Sequence, residues 1–269
     1  MNTTACARTT TGLPISVSLR LAAPPEGSRV CVQLPAGVKV RYIPIVVAVH
    51  GDSVLVQVAG IEVERCMSRS TTDHFIYNGG DAAADPPRPP SLCLLPPRSL
   101  TGGEESAGRR YLYSDATGLL RRGEGEFVVA ELNMKDLSDG AELVLLRLHS
   151  AGRGEWSVKR PPISRYDYGK GGKLPSSWRN DTVIPFGDRL CWVDLSRGLL
   201  FSDVIHDSPG LRYVPLPVDP CFGRCRSLYR NVCATAAASG AIKFVNVFPH
   251  RCCGRGSALT MPTPSTPGR

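Results

Sequence analysis

The sequence predicts an all-β protein, a propeller-like stack of antiparallel sheets. Short apolar runs rich in β-branched and aromatic residues alternate with turn residues, and Gly (27) and Pro (23) approach a fifth of the 269 residues. One stretch of the chain, 182–217, holds four consecutive apolar runs joined by tight turns, which is the length of one propeller blade or β-meander. The hydrophobic share of 42% indicates a packed core.

The N-terminal region predicts one strand. Ile15, Val17 and Leu19 alternate with polar residues, a period of two that is typical of a strand. Residues 1–10 are expected to be disordered. Residues 1–25 also contain Arg8 and no acidic residue, a composition shared with organelle transit peptides, so a transit peptide remains the alternative.

The next two blocks each predict a hairpin. Apolar runs at 43–49 and 54–58 flank a Gly-Asp turn. Residues 78–110, rich in Gly, Pro and Ala, are expected to form a mobile loop. The second hairpin consists of 127–132 and 141–148, and the strand that follows carries the aromatic residue Trp156.

The third block predicts four strands, and the fourth block starts the same pattern again. The predicted strands of the third block are 182–186, 189–194, 199–204 and 211–217. The fourth block contains apolar runs at 230–235 and 241–248, and a tail at 256–269 is expected to be disordered. A single propeller-like domain is therefore predicted over 11–255. Because the repeat stops after half a blade and would leave strand edges uncovered, we expect the fold to be incomplete at its C-terminus.

Charge and cysteine content constrain compartment and partners. The net charge of +8 is spread over loops instead of forming one run, which favours a solvated surface over a nucleic-acid interface. Without a secretory signal, the ten cysteines are predicted to be reduced thiols in the cytoplasm or nucleus. Cys31, Cys93, Cys191 and Cys233 lie in apolar runs, where cysteine is expected to be a small buried hydrophobe. The sequence has no apolar run long enough to span a bilayer, so no membrane association is predicted.

A late group of cysteines is the strongest metal candidate, and it is weak. Three residues separate Cys221 from Cys225, a spacing that zinc sites allow, and His250 and Cys252 follow. Cys252 and Cys253 are adjacent, which rarely lets both side chains reach one ion. We therefore predict unliganded thiols and no cofactor.

No catalytic motif is present, and an enzyme is not predicted. The sequence lacks G-x-S-x-G, H-E-x-x-H and a phosphate-binding loop. Asp194 could pair with Arg197 or Arg189 at a turn. The residues predicted to be structural anchors, packing between sheets or fixing turns, are Trp156, Trp192, Asp194, Tyr213 and Phe244.

Long motifs resemble a known family over most of residues 10–255, including "TGLPISVSLRLAAPP" and "ELVLLRLHSAGRGEWSVKRPP" in the upstream part. "CWVDLSRGLLFSDVI", "PGLRYVPLPVDP" and "IKFVNVFPHRCCG" resemble the core of the plant domain of unknown function 1618 family, which is expanded in grasses. That family has no assigned chemistry, and its members look similar to the propeller-type repeats that accompany F-box modules. The sequence departs from the family after about residue 256, where members usually continue into further strands.

The sequence therefore predicts a non-enzymatic module that binds an unknown protein partner. Two alternatives remain open. One is a nucleic-acid-binding protein that uses basic loops, and the other is a truncated family member without function.

Overall fold

The computed structural model confirms the all-β prediction. It describes residues 3–62, 71–98, 111–123, 125–134, 140–149, 154–165, 177–217, 229–235 and 240–247. Within these ranges the chain forms nineteen strands, which assemble into five sheets. We number the sheets I to V in chain order.

Sheets I and II come from the first third of the chain. Sheet I has the order β1 (Ala5–Arg8), β2 (Pro14–Arg20), β3 (Arg29–Gln33). Sheet II contains β4 (Lys39–Val40), β5 (Ile45–His50), β6 (Ser53–Glu62), β7 (Thr71–Asn78) and β8 (Ser91–Leu94). The long strand β6 pairs with β7 on one side, and with β4 and β5 on the other.

Sheets III to V continue the pattern of hairpins. Sheet III is a meander of β9 (Thr117–Arg122), β10 (Glu126–Asn133), β11 (Glu142–Leu148) and β12 (Gly154–Lys159). Sheet IV contains β13 (Ile163–Arg165), β14 (Thr182–Phe186), β15 (Arg189–Asp194), β16 (Gly198–Ser202) and β17 (Leu211–Pro215), with β13 parallel to β17. Sheet V is the hairpin of β18 (Arg230–Ala234) and β19 (Ile242–Asn246).

The sheets pack face to face in chain order. Four hydrophobic clusters fill the spaces between I and II, II and III, III and IV, and IV and V. A sheet between two neighbours needs two apolar faces, which explains why its strands read as continuous apolar runs. In β15, for example, Leu190 and Trp192 face sheet III, whereas Cys191 and Val193 face sheet V. None of these clusters of described residues joins sheet I to sheet V.

Edge strands of sheets II to V lie next to one another. β5 contacts β9, β9 contacts β14, and β14 contacts β18. Gly118 in β9 allows one of these close approaches, because a Cβ atom at that position would lie 2.8 Å from side-chain carbons of both Leu190 and Val183. Sheets II to V therefore bring one strand each, β5, β9, β14 and β18, into a continuous line of contacts.

The structure also contains strands that the sequence did not predict. β1 lies within residues 1–10, which were expected to be disordered, and it pairs with β2 from Ala5 to Arg8. β8 lies within the predicted loop at 78–110, and the remainder of that loop from residue 99 onwards is outside the described residues. Both strands are only four residues long, too short for a periodic pattern to stand out.

The prediction of burial for the cysteines is wrong at two positions. Cys191 is fully buried, but Cys31 and Cys233 are exposed. β3 and β18 each have one outward face, and the alternation of side chains places these two thiols on it.

Candidate functional site

Exposed aromatic and aliphatic side chains form a groove beside the start of β5 in sheet II. We call it the tyrosine groove and define it by Tyr42, Ile43, Ile45, Tyr111 and Tyr113, whose exposed fractions range from 39% to 87%. The groove has a volume of about 680 Å³. Contiguous exposed apolar surface of this kind marks interaction sites in soluble proteins.

The segment that carries two of the tyrosines is held firmly. Leu112 is 2% exposed and packs into the cluster between sheets II and III. Its backbone N–H donates to Gln57 Oε1 at 2.9 Å, and the carbonyl of Tyr113 accepts from the N–H groups of Ala116 and Thr117. Because neighbouring residues of an extended chain point in opposite directions, burying Leu112 directs Tyr111 and Tyr113 outwards.

A bulge in β6 positions the opposite wall of the groove. The β6–β7 register shifts between Ala59 and Ile61, and Gly60 adopts φ +74° there. The carbonyl of Gly60 accepts a hydrogen bond from the N–H of Arg41 at 2.9 Å, and a Cβ atom on Gly60 would lie 2.6 Å from the Cβ of Arg41. Only glycine satisfies both the positive φ and this approach, so Gly60 sets the position of Tyr42.

The aromatic rings contact one another across the groove. The rings of Tyr42 and Tyr111 pack edge to face, with centroids 6.5 Å apart and planes at 86°. The guanidinium of Arg41 lies 5.7 Å from the centroid of the Tyr42 ring, a cation–π geometry. These contacts order the rings while their outer faces stay in solvent.

A buried polar network supports the groove from below. Gln57 Oε1, which can only accept, receives hydrogen bonds from the N–H of Leu112 and from His74 Nε2 at 2.7 Å. Burial, together with the positive charge of Arg98, lowers the pKa of His74 to about 4, so its imidazole is neutral at pH 7. Arg98 in turn pairs with Glu131, and its guanidinium lies 5.5 Å from the Trp156 ring.

A more polar cleft adjoins the groove. This cleft lies between sheets III and IV, has a volume of about 930 Å³, and shares Tyr113 and Asp115 with the tyrosine groove. Its charged lining residues are Asp115, Glu142, Arg160 and Arg179. The two depressions therefore form one continuous surface that is apolar at one end and charged at the other.

The residues predicted as anchors lie away from the groove lining. Trp192 is fully buried, and its indole N–H donates to the carbonyl of Ala116 at 2.7 Å. The Tyr213 hydroxyl donates to the carbonyl of Arg197 at 3.0 Å. Phe244 packs half-buried between sheets IV and V, and Trp156 lies half-buried beside Arg98.

Asp194 fixes the turn between β15 and β16. Its carboxylate accepts from Arg197 Nη1 at 2.8 Å, which is one of the two pairings that the sequence left open. It also accepts from the N–H groups of Ser196 and Arg179. A carboxylate with this many local donors stabilises a turn and is not available to a substrate.

The weak metal candidates Cys221, Cys225, His250 and Cys252 lie outside the described residues. Within the part of the chain that the structure describes, no group of three or more His, Cys, Asp or Glu side chains is arranged to hold a metal ion. In the same ranges, no helix is long and apolar enough to cross a membrane.

The tyrosine groove was not predicted from the sequence. A signal for it does exist in "YLY" at 111–113, where aromatic residues flank one leucine with a period of two. The position of Tyr42 depends on the bulge at Gly60, and no periodic pattern indicates that bulge.

Fold and site together define an all-β protein of stacked antiparallel sheets with an exposed aromatic groove. Residues 192–267 match the model of a family described as a protein of unknown function, DUF1618. The match covers less than a third of the chain, and it supports the resemblance from Trp192 in β15 onwards but not over the upstream residues. It continues past sheet V to residue 267, so the expected departure from the family after about residue 256 is wrong. Neither the curated proteins nor the solved structures gave a match to this chain.

Proposed function

We propose that the protein is a non-enzymatic interaction module that binds another protein through the tyrosine groove. The observation that carries the proposal is the groove itself, with three tyrosines and two isoleucines exposed on a rigid support. Aromatic side chains are enriched where proteins bind one another, and an ordered tyrosine loses little conformational entropy on binding. The biological process stays unknown, as it is for the matched family.

The electrostatics favour a protein partner over nucleic acid. Three arginines that contribute to the net positive charge already have carboxylate partners, in the pairs Arg88–Asp81, Arg98–Glu131 and Arg121–Asp52. A neutralised guanidinium releases few counterions when it meets a phosphate, so these arginines offer little affinity for nucleic acid.

Two histidines of sheet II brace the fold, which supports a role without turnover. His74 donates to Gln57, and His50 Nδ1 accepts from the N–H of Arg121 at 2.8 Å. Burial lowers the pKa of His50, and the charge of Arg121 lowers it further. An imidazole whose ring nitrogen is occupied in this way is poorly placed as a general base.

We further propose a propeller-type arrangement of the sheets and a place in the cytoplasm or nucleus. The line of contacts through β5, β9, β14 and β18 resembles the inner strands of propeller blades. The free thiols of the described residues, Cys6, Cys31, Cys93, Cys191 and Cys233, fit a reducing compartment.

The test is quantitative capture of partners from plant extract, the source that the family resemblance suggests. Tagged wild-type protein is compared with Ile43→Asp, which places a charge in the groove, and with Leu21→Asp as matched control. Ile43 and Leu21 are exposed aliphatic residues of similar accessibility, 87% and 74%, on different parts of the surface. Each capture is run with and without nuclease.

The proposal expects a partner that wild type and Leu21→Asp retain and Ile43→Asp loses, with no effect of nuclease. Partners that disappear with nuclease in all three samples would support nucleic-acid binding instead. Capture of chaperones alone by the wild-type chain would mean that the chain does not form a working module.

A further inference from the structure

We propose that the occupant of the tyrosine groove is an extended proline-rich segment that carries a basic residue. This inference rests on the proposed function and specifies the chemistry of the partner. A polyproline II segment has no internal hydrogen bonds and presents ring faces and free carbonyls, and it docks into aromatic-lined grooves.

The groove offers the two kinds of contact that such a segment needs. The exposed faces of Tyr42, Tyr111 and Tyr113 can pack against proline rings. Among the described residues, the three phenol hydroxyls make no hydrogen bond, so each can donate to a carbonyl of the segment. An extended peptide with a free N–H at every residue would instead require acceptors from the groove.

The floor of the groove is poor in such acceptors. Gln57 Oε1 lies at the floor but already accepts from Leu112 and His74. The buried lining residues Ala59 and Leu112 contribute apolar surface, and the further side-chain acceptors of the lining are Ser114, Asp115 and the phenol oxygens. Because proline lacks an N–H, a proline-rich segment that covers this floor leaves the fewest N–H groups without an acceptor.

Charge complementarity indicates where the basic residue binds. Asp115 lies where the groove meets the polar cleft, and Glu142 lines that cleft. Neither carboxylate forms an ion pair with a described residue. Arg41 stacks on Tyr42 in the groove wall and disfavours a second cation there. We therefore expect a lysine or arginine of the segment to lie near Asp115.

The test is a fluorescence-anisotropy titration of the full chain with a defined probe. The probe is a fluorescein-labelled peptide of repeated Pro-Pro-Leu units ending in arginine. One control peptide has alanine in place of every proline, and another ends in glutamine. We expect the probe to bind, and the alanine peptide to bind at least about tenfold more weakly because it must be ordered first.

The variants locate the binding site. Tyr113→Ser, which removes an exposed ring, should lower the affinity for the probe about tenfold or more, as loss of an aromatic anchor does. Asp115→Asn should lower the affinity for the probe that ends in arginine about threefold to tenfold. The affinity for the peptide that ends in glutamine should not change. Val158→Ser, an exposed residue of sheet III, is the matched control and should bind like wild type. Thermal unfolding of each variant reports on folding.

These outcomes test the proline-rich occupant separately from the proposed function. Equal binding of the proline and alanine peptides, or binding that Tyr113→Ser leaves intact, overturns the proline-rich occupant. If no peptide binds but Ile43→Asp still abolishes capture of a protein, the groove is an interaction site for a different partner. If no peptide binds and Ile43→Asp captures the same proteins as wild type, both proposals fail.

Discussion

Arg98 and Glu131 form an ion pair across the boundary between sheets II and III, with Arg98 Nη1 2.5 Å from Glu131 Oε2. Their side chains are 4% and 0% exposed. Arg98 Nε and Nη2 have no acceptor among the described residues, so Glu131 supplies the charge compensation. The other oxygen of Glu131 faces the N–H of Tyr113 at 3.5 Å. The pair thus connects the packing of two sheets to the support of the tyrosine groove.

Replacing Glu131 by alanine should destabilise the protein strongly. Arg98 would remain buried without a counter-charge, and breaking a buried pair in this way costs about 3–5 kcal/mol. Urea unfolding followed by circular dichroism measures the change. Asp81→Ala, which breaks the exposed pair with Arg88, is the control and should cost far less, because solvent screens that pair. Equal losses for the two variants would mean that Arg98 finds other compensation.

Protonation of His74 should make the protein less stable in acid. The pKa of His74 is about 4 in the folded protein and about 6.5 in the unfolded chain, so the unfolded state binds the proton first as the pH falls. The stabilisation by neutral His74 is therefore complete above pH 6.5 and is lost as the pH falls towards 4. This contribution amounts to roughly 3 kcal/mol over that interval.

The variant His74→Gln isolates this contribution from the carboxylates that titrate in the same range. A glutamine amide can still donate to Gln57 but does not titrate. The free energy of unfolding, measured from pH 4 to 7.5, should fall more steeply for wild type than for the variant. His149→Gln, at a mostly exposed position, should keep the wild-type slope. Parallel slopes for wild type and His74→Gln would contradict the assignment.

Periodicity predicted most of the sheets because it reports burial directly. The four runs of the third block correspond to β14–β17, and those of the fourth block to β18 and β19. β1 and β8 were missed because four residues carry too little pattern, and the longer strands β3, β7 and β9 were not predicted either. The tyrosine groove was missed for a different reason. It depends on the φ of Gly60 and on the burial of Leu112 between two sheets, and neither is visible before strands are placed beside one another.

Gly118 tests whether β9 lies against sheet IV as the structure places it. An added methyl group would lie 2.8 Å from side-chain carbons of Leu190 and Val183, so Gly118→Ala should cost about 1–3 kcal/mol through overpacking. Gly27 has no atom within 4 Å of such a methyl group and no positive φ, which makes Gly27→Ala the matched control. Thermal unfolding should show a lower Tm for the first variant alone. An unchanged Tm for Gly118→Ala would contradict the close approach of β9 to sheet IV.

Gly60→Ala should damage the groove as well as the fold. The residue has a positive φ, which costs an alanine roughly 1–2 kcal/mol, and its methyl group would collide with the Cβ of Arg41. Arg41 and Tyr42 must then move, so capture of the partner should fall even where the variant is fully folded. The control is Gly12→Ala, which has a positive φ and no neighbouring atoms, and should lose stability without losing capture.

Trp192 should be the most sensitive aromatic residue of the chain to conservative replacement. Its indole is fully buried between sheets III and IV and donates to the carbonyl of Ala116. Trp192→Phe leaves a cavity and removes the indole hydrogen bond to the Ala116 carbonyl, which keeps its bond from the N–H of Leu132, and the expected loss is about 2–4 kcal/mol. Trp156→Phe removes the bond to the Pro96 carbonyl at the half-buried ring, where water can replace the indole, so about 1 kcal/mol is expected. Chemical unfolding of both variants, followed by circular dichroism, compares them. A smaller loss for Trp192→Phe than for Trp156→Phe would mean that sheets III and IV do not close around this side chain.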